Sequence, residues 1–265
     1  MWKKNMKLGI IGYGNIAKAM VAGLDGTFNP IYVNDRKPQS KKAYRKKSLQ
    51  DFKIDDIEKI NLDFIFICVK PKDVKGVLHS LQQFKNKPYL ISVVAGINLT
   101  SLENMYNSKK VIRIMPSTAA KYRKSVTGIF AKSKGREYKL AISVLREFGT
   151  VCELTSESKF HEFTSVFGSG QAFIFEILKN YQSKINKFSK NSRELNRNFY
   201  NFISSVADAY ADGKDLEDLI NEIRSPKGTT HAGITSLKRD KVKNKIDKAF
   251  KAAELRSKEI QNEYK

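Results

Sequence analysis

The spacing of apolar positions changes character near residue 155. Before that point, short unbroken apolar runs recur between segments of helical spacing. Leu8, Ile10 and Ile11 form the first run, and Ile16, Ala19, Met20 and Leu24 follow it at helical intervals. Residues 31–33, 64–69 (FIFICV), 89–94 and 111–115 repeat the short run, with helical spacing over 74–81 and 99–106. Residues 126–130 and 150–154 close the series on either side of a helical stretch over 138–148. Strand-length runs without polar alternation are the pattern of parallel strands covered on both faces. Their alternation with helices predicts a doubly wound α/β sheet. Past Thr155 the strand pattern stops. Phe199, Phe202, Ile203, Val206 and Tyr210 recur at i, i+3, i+4, i+7 and i+11, and the rest of the chain reads as helices. The pattern therefore predicts two domains, residues 1–155 as a Rossmann-type sheet and residues 156–265 as an all-α domain.

The first strand runs into Gly12, Gly14 and Ala17, spaced G-x-G-x-x-A, between Ile11 at its end and Asn15 and Ile16 at the start of a helix. This is the spacing of a dinucleotide site. The first glycine allows a tight turn, the second lets backbone approach a pyrophosphate, and the small third residue lets the helix pack close to the strand. The unpaired N–H groups of the helix start suit an anion. Gly12→Val is accordingly expected to abolish cofactor binding while leaving the fold intact. The second strand ends in Asn34, Asp35 and Arg36, where an acidic residue would meet the ribose hydroxyls of NAD and an arginine the 2′-phosphate of NADP. Arg36, Lys37 and the basic run behind them favour NADP(H), with NAD(H) as the alternative. Val69, Lys70 and Pro71 close the third long run and Ala95 follows the next, which sets all four at carboxyl ends of strands, where ligands of open α/β sheets bind.

Two polar breaks interrupt the helical half: Gly168-Ser169-Gly170, and Ser225-Pro-Lys-Gly-Thr-Thr230 ahead of a helix over 231–237. In the second, Ser225 is placed to cap and Pro226 to occupy a first turn, giving N–H and hydroxyl groups suited to a carboxylate.

Composition narrows the classes. The 265 residues are 41% hydrophobic and 29% charged, as in globular proteins, and no apolar run approaches the length of a membrane span. No signal-like core precedes the first strand, and the two cysteines, Cys68 and Cys152, lack C-x-x-C spacing, so a cytoplasmic protein is expected. The three histidines do not cluster with them, and no metal is expected. The net charge of +22 raises nucleic acid as a partner. Lysines are nevertheless spread end to end, and the densest run, residues 37–47, has only Tyr44 as a stacking aromatic, so a solvated surface is the preferred reading.

With these pieces in place, the chain resembles the pyrroline-5-carboxylate reductases. The resemblance runs through GYGNIA at 12–17, VKP at 69–71, VVAG at 93–96, RIMPST at 113–118, FGSGQAF at 167–173 and SPKGTTHAG at 225–233. The sequence departs from the family's usual pattern at Ser117, Ala119, Gln171, Phe173, Lys227 and Ile220-Asn221, Lys227 standing where glycine is usual. The resemblance implies hydride transfer from NAD(P)H to the C=N carbon of 1-pyrroline-5-carboxylate, giving L-proline. It implies that Ser225, Gly228, Thr229 and Thr230 hold the substrate carboxylate, that Thr230 also hydrogen-bonds the ring nitrogen, and that Ser169 lines the same site. It also implies that the helical domain forms a homodimer. His161 and His231 are read as packing or surface residues. A related NADP-linked reductase of another imine or keto acid, and a non-catalytic nucleotide-binding regulator, are the alternatives.

Overall fold

The computed structural model describes residues 6–36 and 49–263. The basic run over 37–47 lies outside the described residues. The apolar runs become strands β1 (Leu8–Ile11), β2 (Ile31–Asn34), β4 (Phe64–Ile67), β5 (Tyr89–Ser92), β6 (Val111–Met115), β7 (Ser125–Phe130) and β8 (Gly149–Glu153). A short strand β3 (Leu49–Asp51) adds an edge. Among the described residues the sheet has eight strands in the order β3-β2-β1-β4-β5-β6-β7-β8.

Burial explains why the runs are unbroken. Phe64 and Phe66 of β4 enter one core with Leu8, Ile10 and Met20, whereas Ile65 and Ile67 enter a second with Ile11, Val74 and Leu78. Successive side chains point to opposite faces, and both faces are dry, so no position is left for a polar residue. Each such side chain contributes roughly 1.5–3 kcal/mol of burial. The covering helices are α1 (Asn15–Leu24), α2 (Ile57–Ile60), α3 (Pro71–Leu81), α4 (Leu99–Tyr106) and α5 (Arg136–Leu145).

The sheet is mixed rather than wholly parallel: β6 and β7 pair antiparallel, and the other neighbours are parallel. The reason is local. The link after β6 contains only a 3-10 turn, Thr118–Tyr122, and returns the chain beside the strand it has just left, with no crossover helix.

The helical half comprises α6 (Lys159–Phe163), α7 (Gly170–Asn186), α8 (Ser192–Ala211), α9 (Leu216–Ile223), α10 (Thr229–Arg239) and α11 (Val242–Glu263). A π-helical turn, Thr164–Ser169, precedes α7. Two compact units result. The first holds the sheet, the chain through Gly168 and the stretch from Ala253 onward; the second spans Ser169–Ala252. The return of the last residues to the first unit accompanies a buried cluster: His161 Nδ1 lies 3.0 Å from Ser257 Oγ, and Arg113 ion-pairs with Glu157 over the Phe160 ring. In the second unit Tyr181 stacks on Phe202 and Phe173 meets Phe250 edge-on, yet α8, α9 and α10 bury no residue.

Candidate active site

The expected cofactor residues fall along one edge of the first unit, the carboxyl ends of β1, β2, β4 and β5. Register brings them level, since Ile11 pairs with both Asn34 and Ile67, and Ile67 with Ser92. Gly12 follows Ile11 with φ of +88°, and its N–H donates to the Asn34 carbonyl at 2.8 Å. A Cβ at this position would stand 2.9 Å from the carbonyl carbon and oxygen of Cys68 and from Cγ1 of Val69. Gly12 is thus required by the fold itself. The expectation that Gly12→Val spares the fold is corrected: the side chain would meet the Cys68 backbone, just past β4, before any ligand.

Gly14 differs. It is the N-cap of α1, extended and without a side-chain cap, and a Cβ there would meet nothing within 4 Å. The N–H groups at the start of α1, at Asn15 and Ile16, therefore border open space, as a bound pyrophosphate requires. The edge fits a dinucleotide.

Around this centre, Asn34 is half-buried and its Nδ2 donates to the Phe52 carbonyl at 2.9 Å, which ties the exit of β2 to the end of β3. Arg36 is exposed, and its Nη2 lies 3.0 Å from Asp73 Oδ1 in the first turn of α3. Lys70 is the N-cap of α3 and Pro71 its first residue. Pro71 suits this position because its missing N–H would have had no partner there. Val69 and Ala95 are half-buried beside the same edge. Burial pushes the Cys68 thiol up to about 12, which keeps it protonated as a small hydrophobe.

The expected substrate loop lies in the second unit. Gly228 N–H donates to the Ser225 carbonyl at 3.1 Å, closing a four-residue turn in which Lys227 has φ of +57°. Pro226 at the second position and a left-handed third residue make this a type II arrangement. The N-cap of α10 is Gly228, not Ser225, and Pro226 belongs to the turn, not to the helix. Ser225 instead packs its Oγ against the place a Cβ on Gly228 would occupy, so Gly228 cannot carry a side chain without displacing it. α10 starts at Thr229 and has no side-chain cap. Its first turn presents exposed Thr229 and His231 with half-buried Thr230. Ser169 closes the π-helical turn at the head of α7 and is half-buried. His161 is in the first unit; burial first, then the Arg113 and Lys258 charges, holds its pKa below the usual histidine value and keeps it neutral.

Two features escaped the sequence reading. One is Asp73, whose carboxylate meets Arg36; an acidic residue in a helix's first turn is otherwise explained by the helix dipole alone. The other is the π-helical turn, a form that recurs at functional sites; the glycines flanking Ser169 were its only trace.

Residues 157–260 match a family model described as pyrroline-5-carboxylate reductase dimerisation, and residues 7–96 one described as NADP oxidoreductase, coenzyme F420-dependent. Pyrroline-5-carboxylate reductase 2 of Bacillus subtilis is 27% identical over 97% of this chain and 96% of its own length. Over nearly its whole length the chain is similar to named pyrroline-5-carboxylate reductases. Among solved structures, a pyrroline-5-carboxylate reductase from Coxiella burnetii is 26% identical with a TM-score of 0.84, covering 97% of this chain and 99% of that one. The Plasmodium falciparum pyrroline carboxylate reductase with NADP bound shares the fold, with a TM-score of 0.85 over 97% of this chain and 99% of that one at 20% identity.

Proposed function

We propose that this protein is a pyrroline-5-carboxylate reductase, reducing 1-pyrroline-5-carboxylate to L-proline with NADPH, in the cytoplasm and as a homodimer or larger homo-oligomer. The observation that carries the reading is correspondence over nearly the whole chain with relatives bearing the name of that reaction. The bound nicotinamide supplies a hydride to the C=N carbon. What the chain must do is hold two reactants in register and offset charge. Gly12, Gly14, Asn15 and Ile16 hold the pyrophosphate, with Ile11 beneath them, and Val69, Lys70, Pro71 and Ala95 line the rest of the cofactor edge. Asn34 braces the exit of β2, and Arg36 takes the 2′-phosphate. In the second unit the N–H groups at Thr229 and Thr230, in the uncapped first turn that follows Gly228, with the hydroxyls of Ser225 and Ser169, take the substrate carboxylate. The Thr230 hydroxyl orients the ring nitrogen. An imine that binds already protonated needs no general acid from the protein.

Dimerisation is supported by the family model over 157–260 and by the surface of the helical unit. Phe175, Tyr200, Val206, Tyr210 and Ile223 are each at least 59% exposed there, and a second copy would cover such a face. The two free cysteines suit a reducing compartment.

The direct test is NADPH oxidation by the purified protein with 1-pyrroline-5-carboxylate, followed by identification of proline as product. Turnover with a different cyclic imine or a keto acid, and none with this substrate, would assign a related reductase. Nucleotide binding without any turnover would leave a regulatory role.

A further inference from the structure

The sheet order makes the Arg36–Asp73 contact informative. Arg36 leaves the end of β2 and Asp73 belongs to the helix that follows β4, with β1 lying between those two strands. The ion pair therefore reaches across the exit of β1, beside the Gly12–Gly14 turn. It is made by a single contact of 3.0 Å, and the arginine side chain is 76% exposed, the carboxylate 27%. A pair that open is too weak to be there for stability, because long side chains in water lose in ordering and screening most of what they gain by attraction. It does set the charge that an arriving ligand meets.

We propose that Asp73 is a specificity-determining residue that weakens this protein's preference for NADPH over NADH, acting through Arg36. The inference rests on the reading of this edge as a dinucleotide site. A 2′-phosphate that takes Arg36 must draw the guanidinium from Asp73 or share it, and in either case brings its own negative charge close to the carboxylate. NADH, with only a hydroxyl there, leaves the Arg36–Asp73 pair undisturbed. The carboxylate thus costs NADPH affinity without costing NADH affinity. Lys70 at the N-cap of α3 and Lys72 beside Asp73 carry positive charge along the same turn, but their charge is unchanged in the variants below and cancels from the comparison.

The test is equilibrium binding of NADPH and of NADH to the full chain, followed by the fluorescence of the reduced nicotinamide, for wild type, Asp73→Asn and Asp73→Glu. The amide keeps the shape and removes the charge, whereas glutamate keeps the charge. Asp73→Asn is expected to lower the Kd for NADPH by roughly fivefold, the equivalent of one well-formed exposed ion pair, and to leave that for NADH within about twofold. Asp73→Glu should keep the wild-type ratio. Raising the salt concentration should shrink the gap between wild type and Asp73→Asn, since exposed charges are screened. An unchanged ratio in Asp73→Asn, or weaker NADPH binding, would overturn the proposal and make Asp73 a clamp for Arg36 or a bystander. If wild type binds neither dinucleotide, the site reading fails and the proposal falls with it; that result is distinct from binding that Asp73 does not influence.

Discussion

The two units satisfy the hydrophobic effect in different ways. In the first, β1, β4 and β6 are buried at every position and the helices cover both faces of the sheet around them, so these central apolar runs are fully used inside one chain. In the second, three successive helices bury no residue, and most of the exposed large apolar side chains among the described residues fall there, Phe175, Tyr200 and Ile223 among them. The lesson is that amphipathic periodicity locates a face that must be covered without saying by what. A continuous apolar run, in contrast, already implies neighbours on both sides.

The widest test of this contrast puts charge on the uncovered face. Val206→Glu combined with Phe175→Glu should convert the oligomer to monomer by light scattering, since each unpaired charge buried at an interface costs several kcal/mol. The first unit should still bind NADPH. A monomeric wild type at micromolar concentration would remove the contrast altogether.

Within the first unit, the glycine turn should separate fold from ligand. Gly12→Val forces a branched side chain to a positive φ and into the Cys68 carbonyl, and should cost on the order of 2–4 kcal/mol of stability along with cofactor binding. Gly14→Val enters open space, so circular dichroism and melting should match wild type while NADPH affinity falls at least about tenfold by titration. Equal damage from both would mean that the turn is structural only.

The corresponding test in the second unit is Thr230→Val. Loss of a polar contact near the reacting bond should lower kcat/KM by roughly tenfold to a hundredfold, with NADPH affinity unchanged. Thr229→Val should cost less, because its N–H remains. A lower melting temperature with unchanged kcat/KM would make the loop a structural one.

The smallest effect belongs to Lys227. A side chain held at φ of +57° is strained by about 1 kcal/mol, so Lys227→Gly should raise the melting temperature of the helical unit slightly, as measured calorimetrically. A lower melting temperature would show that the lysine side chain makes a stabilising contact that outweighs its backbone strain.

Much of the first unit was legible because its signals are local. The unbroken runs gave seven of the described strands, and G-x-G-x-x-A placed the turn where Gly12 and Gly14 stand. What escaped was decided at a distance or by side chains with several uses. β3 has half-exposed Leu49 and exposed Gln50 and Asp51, so it carries no apolar run and exists by pairing with β2. The antiparallel β7 follows from a link too short for a crossover, which the apolar pattern of the strand itself does not register. Serine and proline fit both a helix start and a turn, and the Ser225 carbonyl bond to Gly228 settles the choice for the turn. The pairing of Arg36 with Asp73 joins residues 37 positions apart by number, across a strand that belongs to neither.

The return of the last helix to the first unit has a consequence for synthesis. Ser257, against His161, and Ile260, against Gly96, are made about a hundred residues after the sheet they complete, which is finished by residue 153. Translation at roughly 5–20 residues per second separates Gly168 from Ala253 by several seconds. During that interval the nascent sheet has its strands and helices but carries an open patch around Gly96 and His161. The N-terminal unit is therefore the first to be made and among the last to be closed, and a chain interrupted anywhere in the helical half leaves it unfinished.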